Sequence, residues 1–164
     1  MRDPFKNPFP ETDAARHAIW EMLVPRDIDA FLAADWSKVE GDFIEAGFLA
    51  INANRADNPD KWRLGFPNLI AYRDEWLRQA RDFQGQSFAE DTRKAIFTTT
   101  TLDEIEIEND TALVRKKFDG GIRKTDGSLD VMKWQTLYYC RLHGGRWKIS
   151  GFIGYLPNPM GSAL

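Results

Sequence analysis

The sequence predicts an α+β chain, helical in its first half and an antiparallel sheet in its second. Three observations carry that prediction. Apolar residues recur every three or four positions in stretches between Ala15 and Phe83. From Arg93 onward the period falls to two, in four runs rich in β-branched and aromatic residues. The breaks between those runs, Asn109-Asp110, Thr125-Asp126-Gly127-Ser128 and Gly144-Gly145, have hairpin chemistry and are short enough to force antiparallel neighbours. With 164 residues, no repeat and no compositional boundary, one domain is expected over residues 11–164. Residues 1–10 hold Pro4, Pro8 and Pro10 and read as an extended arm.

The elements follow in order. Thr12 or Asp13 can cap a first helix, in which Ala15, Ala18, Ile19, Met22 and Leu23 share a face. Pro25 predicts a break or kink, and a second helical piece follows through Ile28, Phe31 and Leu32. Asp35 is placed to cap a short third piece carrying Trp36, Val39 and Phe43. Residues 47–54 read as a short strand and Asn58-Pro59-Asp60 as a turn. Pro67 suits the first turn of the clearest helix, whose stripe is Leu69, Tyr72, Trp76, Ala80 and Phe83. The strands are expected over 95–108, 111–119, 129–142 and 146–155.

Composition removes several function classes. Lys plus Arg number 22 against 25 Asp plus Glu, a net charge of −3, which gives no long-range pull toward nucleic acid. One Cys and two His argue against a disulfide, a Cys-rich zinc site or any other metal centre. No signal peptide or membrane span is visible, so a cytoplasmic setting is expected. Aromatic content stands out, with 6 Trp, 4 Tyr and 11 Phe: these are either ordinary core or the walls of a ligand cavity.

Three stretches carry a resemblance. Asp35-Trp36-Ser37-Lys38-Val39 followed by Asp42-Phe43 resembles the Asp-Trp and short-helix signature of the nuclear-transport-factor-like, or SnoaL-like, cone fold. Residues 67–83 resemble the helix in that fold's concave face, and Gly145-Arg146-Trp147-Lys148-Ile149 the Gly-x-Trp-x-Ile entry to its last strand. The resemblance implies a cone: a curved antiparallel meander wrapped around the N-terminal helices and one long central helix. It also implies a cavity between sheet and helices, and an outer sheet face that often mediates dimers. Its members include isomerases, cyclases, dehydratases, transport factors and binders, so the fold alone does not select a function.

A two-residue turn at Gly144-Gly145 puts Tyr138 opposite Gly151, Thr136 opposite Ile153 and Trp134 opposite Tyr155 on the cavity face, with Cys140 inward and inert. Gly151 then either makes room for a ligand or marks a bend. An Asp126-Gly127 turn would bring Arg115 and Lys117 inward; the alternative is cross-strand pairing with Glu104 and Glu106. Gly120-Gly121 is a candidate bulge. Trp62 closes the mouth or plugs the core. The candidate ligand pocket is therefore Asn52, Trp62, Tyr72, Trp76, Arg115, Tyr138, Gly151 and Tyr155, and no cofactor is expected. The opposite face offers Leu137, Tyr139 and Phe152 as a homodimer patch.

Three readings stay open. The first is a binding domain for a hydrophobic or aromatic small molecule. The second is a cofactor-free isomerase, cyclase or dehydratase using Tyr138 with His17 or Asp42, and Gln135 as a second donor. Against it, the stretch Leu49-Ala50-Ile51-Asn52, where the resemblance to ketosteroid-type isomerases would put the base, holds no acid. The third is an interaction module acting through the outer sheet face, which a cavity below roughly 300 Å³ would favour.

Overall fold

The computed structural model describes residues 1–163. Helix α1 (Ala14–Glu21) is capped by Asp13, whose carboxylate accepts from the Arg16 amide. Pro25 does not break the path. A π turn over Met22–Arg26 absorbs it, and the chain continues directly into α2 (Asp27–Ala33). Asp35 caps a short 3-10 turn that buries Trp36.

Strand β1 (Leu49–Asn52) is followed, beyond the turn at Asn58-Pro59-Asp60, by β2 (Arg63–Phe66). The long helix α3 (Leu69–Gln84) starts just after Pro67 and not at it, because the Asn68 side chain accepts from the Ala71 amide and takes the cap. The first of the four sheet runs begins as a helix: α4 (Thr92–Thr99), capped by Asp91, precedes β3 (Thr100–Glu108). There the buried Ala95, Ile96, Phe97 and Thr99 pack at helical spacing, so tertiary burial overrides the β-propensity of Ile and Thr. Strands β4 (Thr111–Arg123), β5 (Leu129–His143) and β6 (Arg146–Leu156) complete the expected meander.

The sheet has six strands in the order β2-β1-β6-β5-β4-β3. It is mixed: β1 runs parallel to β6, and every other pair is antiparallel. Helices α1 to α4 cover one face, and the core between them holds Ile19, Leu23, Ile28, Trp36, Trp76, Phe97, Val114, Tyr138 and Phe152. Asp42, deep in this core, is held by Arg26 Nε and Nη2, each at 2.8 Å, and by Arg146. Two guanidiniums thus bind the turn after α2 to the start of β6. The arm packs on α4 and α1: Phe5 lies on Phe97 with ring centroids 4.8 Å apart, and Asn7 donates to the His17 carbonyl.

Candidate functional site

Register decides who faces the cavity. The β5–β6 hairpin starts on the expected two-residue Gly144-Gly145 turn and departs from it only at bulges further along, whereas the β4–β5 hairpin differs from its turn onward. The β4–β5 connection closes at Arg123↔Leu129, with five residues between them, so Val114, not Arg115, pairs with Tyr138. A one-residue slip turns every side chain over. Arg115 and Lys117 therefore lie outward and share Glu104, at 3.1 and 2.9 Å, which corrects the inward placement of Arg115. Lys116 points inward in their place. The pairing runs through Gly120 and Gly121 without a shift, so no bulge forms there. Gly120 instead lets Thr99 approach.

In β6 the ladder shifts twice, between Tyr139 and Cys140 and again between Gln135 and Leu137 on the β5 side. Each shift inserts one extra residue on β6. After the first, at Ser150, Gly151 opposes Tyr139 on the outer face and Phe152 pairs with Tyr138 on the inner one. Gly151 is thus outside the cavity. A Cβ there would strike the Leu49 carbonyl oxygen, so the glycine admits the parallel strand β1. Phe152 likewise leaves the proposed dimer patch and is buried, 5.7 Å from the Tyr138 ring and 4.8 Å from that of Tyr72. The second shift, with Tyr155 at φ 56°, swings Tyr155 back inward, where alternation alone would have faced it out.

A cavity of about 200 Å³ lies between α2, α3 and the inner face of β4–β6. Of the expected pocket residues it is lined by Tyr72, Trp76, Tyr138 and Tyr155. Asn52 sits in an open cleft that adjoins the mouth, its Oδ1 accepting from the Asn54 amide at 2.8 Å. Trp62 pins the preceding loop by donating Nε1–H to the Ala56 carbonyl at 2.7 Å. The other candidates of the catalytic reading are engaged elsewhere. His17 takes the Phe9 carbonyl at 2.9 Å and anchors the arm, Asp42 is neutralised by its two arginines, and Gln135 donates to the Pro157 carbonyl.

The inner end of the cavity is polar in a way the candidate list missed. Lys116, 1% exposed, donates to the Leu23 carbonyl in the π turn and to Asp27 Oδ2 at 3.0 Å. Its Nζ also lies 5.3 Å from the Phe118 ring. Thr136, directly across the ladder, and Tyr138, diagonal to Lys116 on the same face, complete the group with Tyr72. Lost hydration holds the Tyr138 hydroxyl well above its ordinary pKa, with Asp27 adding to it, and Tyr72 likewise, with Tyr138 next in weight. Tyr155 is raised less because Gln79 donates to its oxygen at 2.7 Å. A signal for Lys116 was present: Ala112, Val114 and Phe118 share its strand parity, making it the one cation in an apolar phase. At the mouth, Arg55 lies over the Trp134 ring at 5.4 Å, and Trp134 and Asp130 form the rim with Gln79 and Tyr155.

The outer face carries a separate open concavity of about 550 Å³ lined by Leu49, Ile51, Leu113, Leu137, Tyr139 and Ile153 among others. Among the described residues no cluster of metal-ligating side chains occurs, and no helix is long and apolar enough to cross a membrane.

No protein-family model matches the chain, and no curated protein matches it in sequence. Solved structures do match in fold. An NTF2-like protein of unknown function from Pseudomonas putida KT2440 superposes with a TM-score of 0.59 at 16% identity, over 93% of this chain and 94% of its own. A conserved protein from Planctomyces limnophilus DSM 3776 gives 0.58 at 14% identity, over 88% and 96%. An NTF2-like protein of unknown function from Shewanella baltica OS155 gives 0.55 at 14%, over 89% and 95%. The fold is NTF2-like.

Proposed function

We propose that the chain binds a small, mostly apolar molecule bearing one hydrogen-bonding group, with its ring among Tyr72, Trp76, Phe83 and Phe152 and its polar end against Tyr138. The observation that carries this reading is the aromatic cavity closed at one end by hydroxyls and the Lys116–Asp27 pair. Its size sets the ligand. At about 200 Å³ it lies below the roughly 300 Å³ floor of drug-sized pockets, which by the size criterion alone favours the interaction module, yet a cavity of about 150 Å³ suffices for benzene, so a small ring is still admitted. A single ring with a short substituent fits; a steroid-sized skeleton does not. The test is calorimetric titration with phenol, benzyl alcohol and toluene against the parent and Tyr138→Phe. Loss of one hydrogen bond weakens a phenol or alcohol about fivefold to tenfold and leaves toluene unaffected. Equal affinity in parent and variant contradicts the proposed orientation.

A second reading, a cofactor-free proton-transfer enzyme, is favoured by one observation: a carboxylate, Asp27, shares the cavity's polar end with two phenols. Exchange of the α-protons of a small bound ketone, abolished in Asp27→Asn, supports it; exchange equal to that in buffer removes it.

The proposed assembly is a homodimer through the outer face, with Leu49, Leu113 and Ile153 beside Leu137 and Tyr139 in place of Phe152. The apolar lining of the outer concavity supports it, as do the half-exposed Leu49, Leu113 and Tyr139. Leu113→Asp is expected to convert a dimer to a monomer by light scattering. The proposed setting is the cytoplasm, where a lone thiol such as Cys140 stays reduced.

A further inference from the structure

Lys116 is costly where it stands. Its strand neighbours of the same parity, Val114 and Phe118, are apolar, and 1% exposure strips its ammonium of water. A buried ion pair is commonly no more stabilising than an apolar residue of the same volume. The surroundings nonetheless supply what an amine needs to react. Asp27 Oδ2 at 3.0 Å is placed to take a proton, and the Asp27 side chain, 29% exposed, is the less buried partner. Tyr138 and Thr136 lie beside Lys116 on the ladder, and the aromatic cavity opens onto all of them. The π turn that accommodates Pro25 presents the Leu23 carbonyl to Nζ and delivers Asp27 to the site at the first position of α2.

We propose that Lys116 captures the carbonyl carbon of a small arene aldehyde or ketone held in this cavity, forming an imine. The proposal rests on the cavity reading above. Asp27 first accepts a proton from the Lys116 ammonium, freeing the nitrogen lone pair. That pair attacks the carbonyl carbon, making the C–N bond while the carbonyl π pair moves onto oxygen. Tyr138 donates a hydrogen bond to the oxygen as its charge develops. A proton passes from nitrogen to that oxygen, giving a neutral carbinolamine. Protonated Asp27 then returns its proton to the hydroxyl, which leaves as water as the nitrogen pair closes the C=N bond. The product is a protonated imine and one water, with the cation again paired to the Asp27 carboxylate. An enclosed apolar cavity favours the imine by limiting the water that would hydrolyse it.

The experiment incubates the full chain with benzaldehyde and cyanoborohydride, which fixes an imine as a benzylamine, and maps the label by peptide mass spectrometry. Benzyl alcohol, which fits the same space and cannot form an imine, is titrated in parallel and used as competitor. Binding in the cavity raises the local aldehyde concentration, so label on Lys116 is expected about tenfold above any of the eight other lysines. Excess benzyl alcohol is expected to suppress that label and no other, and Asp27→Asn to slow it. If benzyl alcohol binds but Lys116 is labelled no more than surface lysines, the imine proposal is overturned and the cavity reading stands. If neither molecule engages the cavity, both fall. The parent protein alone decides these outcomes, whether or not variants at Lys116 fold.

Discussion

Replacing Gly151 by alanine probes the register that separates cavity from outer face. On the native backbone the new methyl meets the Leu49 carbonyl oxygen at far less than the roughly 3.3 Å of an ordinary C···O approach. The obstacle is main chain, fixed by the ladder from Leu49↔Gly151 to Asn52↔Gly154, so no side-chain rotation relieves it. Strand β1 must retreat by about 1 Å, or β6 must shift, and overpacking of this kind costs about 1–3 kcal/mol. For a chain of 164 residues each kcal/mol lowers Tm by about 2–4 °C, so a fall of about 2–12 °C is expected. The assay is urea and thermal unfolding, with amide hydrogen exchange to locate the loosening in β1 and β2. Ligand affinity should be unaltered, because Gly151 faces away from the cavity. A stability change under about 0.5 kcal/mol, or an affinity change without loosening of β1, refutes the register argument, since a cavity-facing glycine would behave in that second way.

Three further outcomes follow from the same structure. Asp42→Asn leaves Arg26 and Arg146 facing an uncharged amide inside the core; because both guanidiniums are partly exposed, the loss is about 2 kcal/mol in urea unfolding, and a change below about 0.5 contradicts the clamp. Tyr72, Tyr138 and Tyr155 all have folded pKa values raised by burial, so the native state retains protons that the unfolded chain releases near pH 10. Their contribution is intact below pH 10 and is lost as pH rises toward the folded values, at up to about 1.4 kcal/mol per pH unit per tyrosine; Tyr138→Phe should flatten the slope. Cys140, buried and pushed up to about 12, should ignore iodoacetamide at pH 8 until the protein unfolds, and rapid native labelling would show that β5 is turned over.

The sequence made the element order and the aromatic wall legible, because both rest on periodicity and residue type. Tyr72 and Trp76 fall on one stripe of α3, and Tyr138 carries the apolar parity of β5. What stayed illegible depends on counting residues through turns and bulges. The five-residue connection after Arg123 exchanges Arg115 for Lys116, and the extra residue at Ser150 exchanges Gly151 for Phe152. Neither has a strong local signature: Asp126-Gly127 is equally compatible with a two-residue turn, and Ser150 is an ordinary strand residue. Tyr155 faces the cavity as expected only because a second bulge cancels the first. Helix α4 was hidden by β-branched composition, and Asp27 by its distance in sequence from the strand it serves.

The most direct measurement is a two-dimensional ¹H–¹³C titration of the labelled protein with phenol, following side-chain resonances. Saturable shifts are predicted for the Met132, Thr136, Ile28 and Ile96 methyls, which line the inner cavity, with the Leu113 and Leu137 methyls of the outer face unmoved. Shifts confined to the outer-face methyls, or none at millimolar phenol, would contradict a ligand-binding cavity and leave the sheet face as the working surface of the protein.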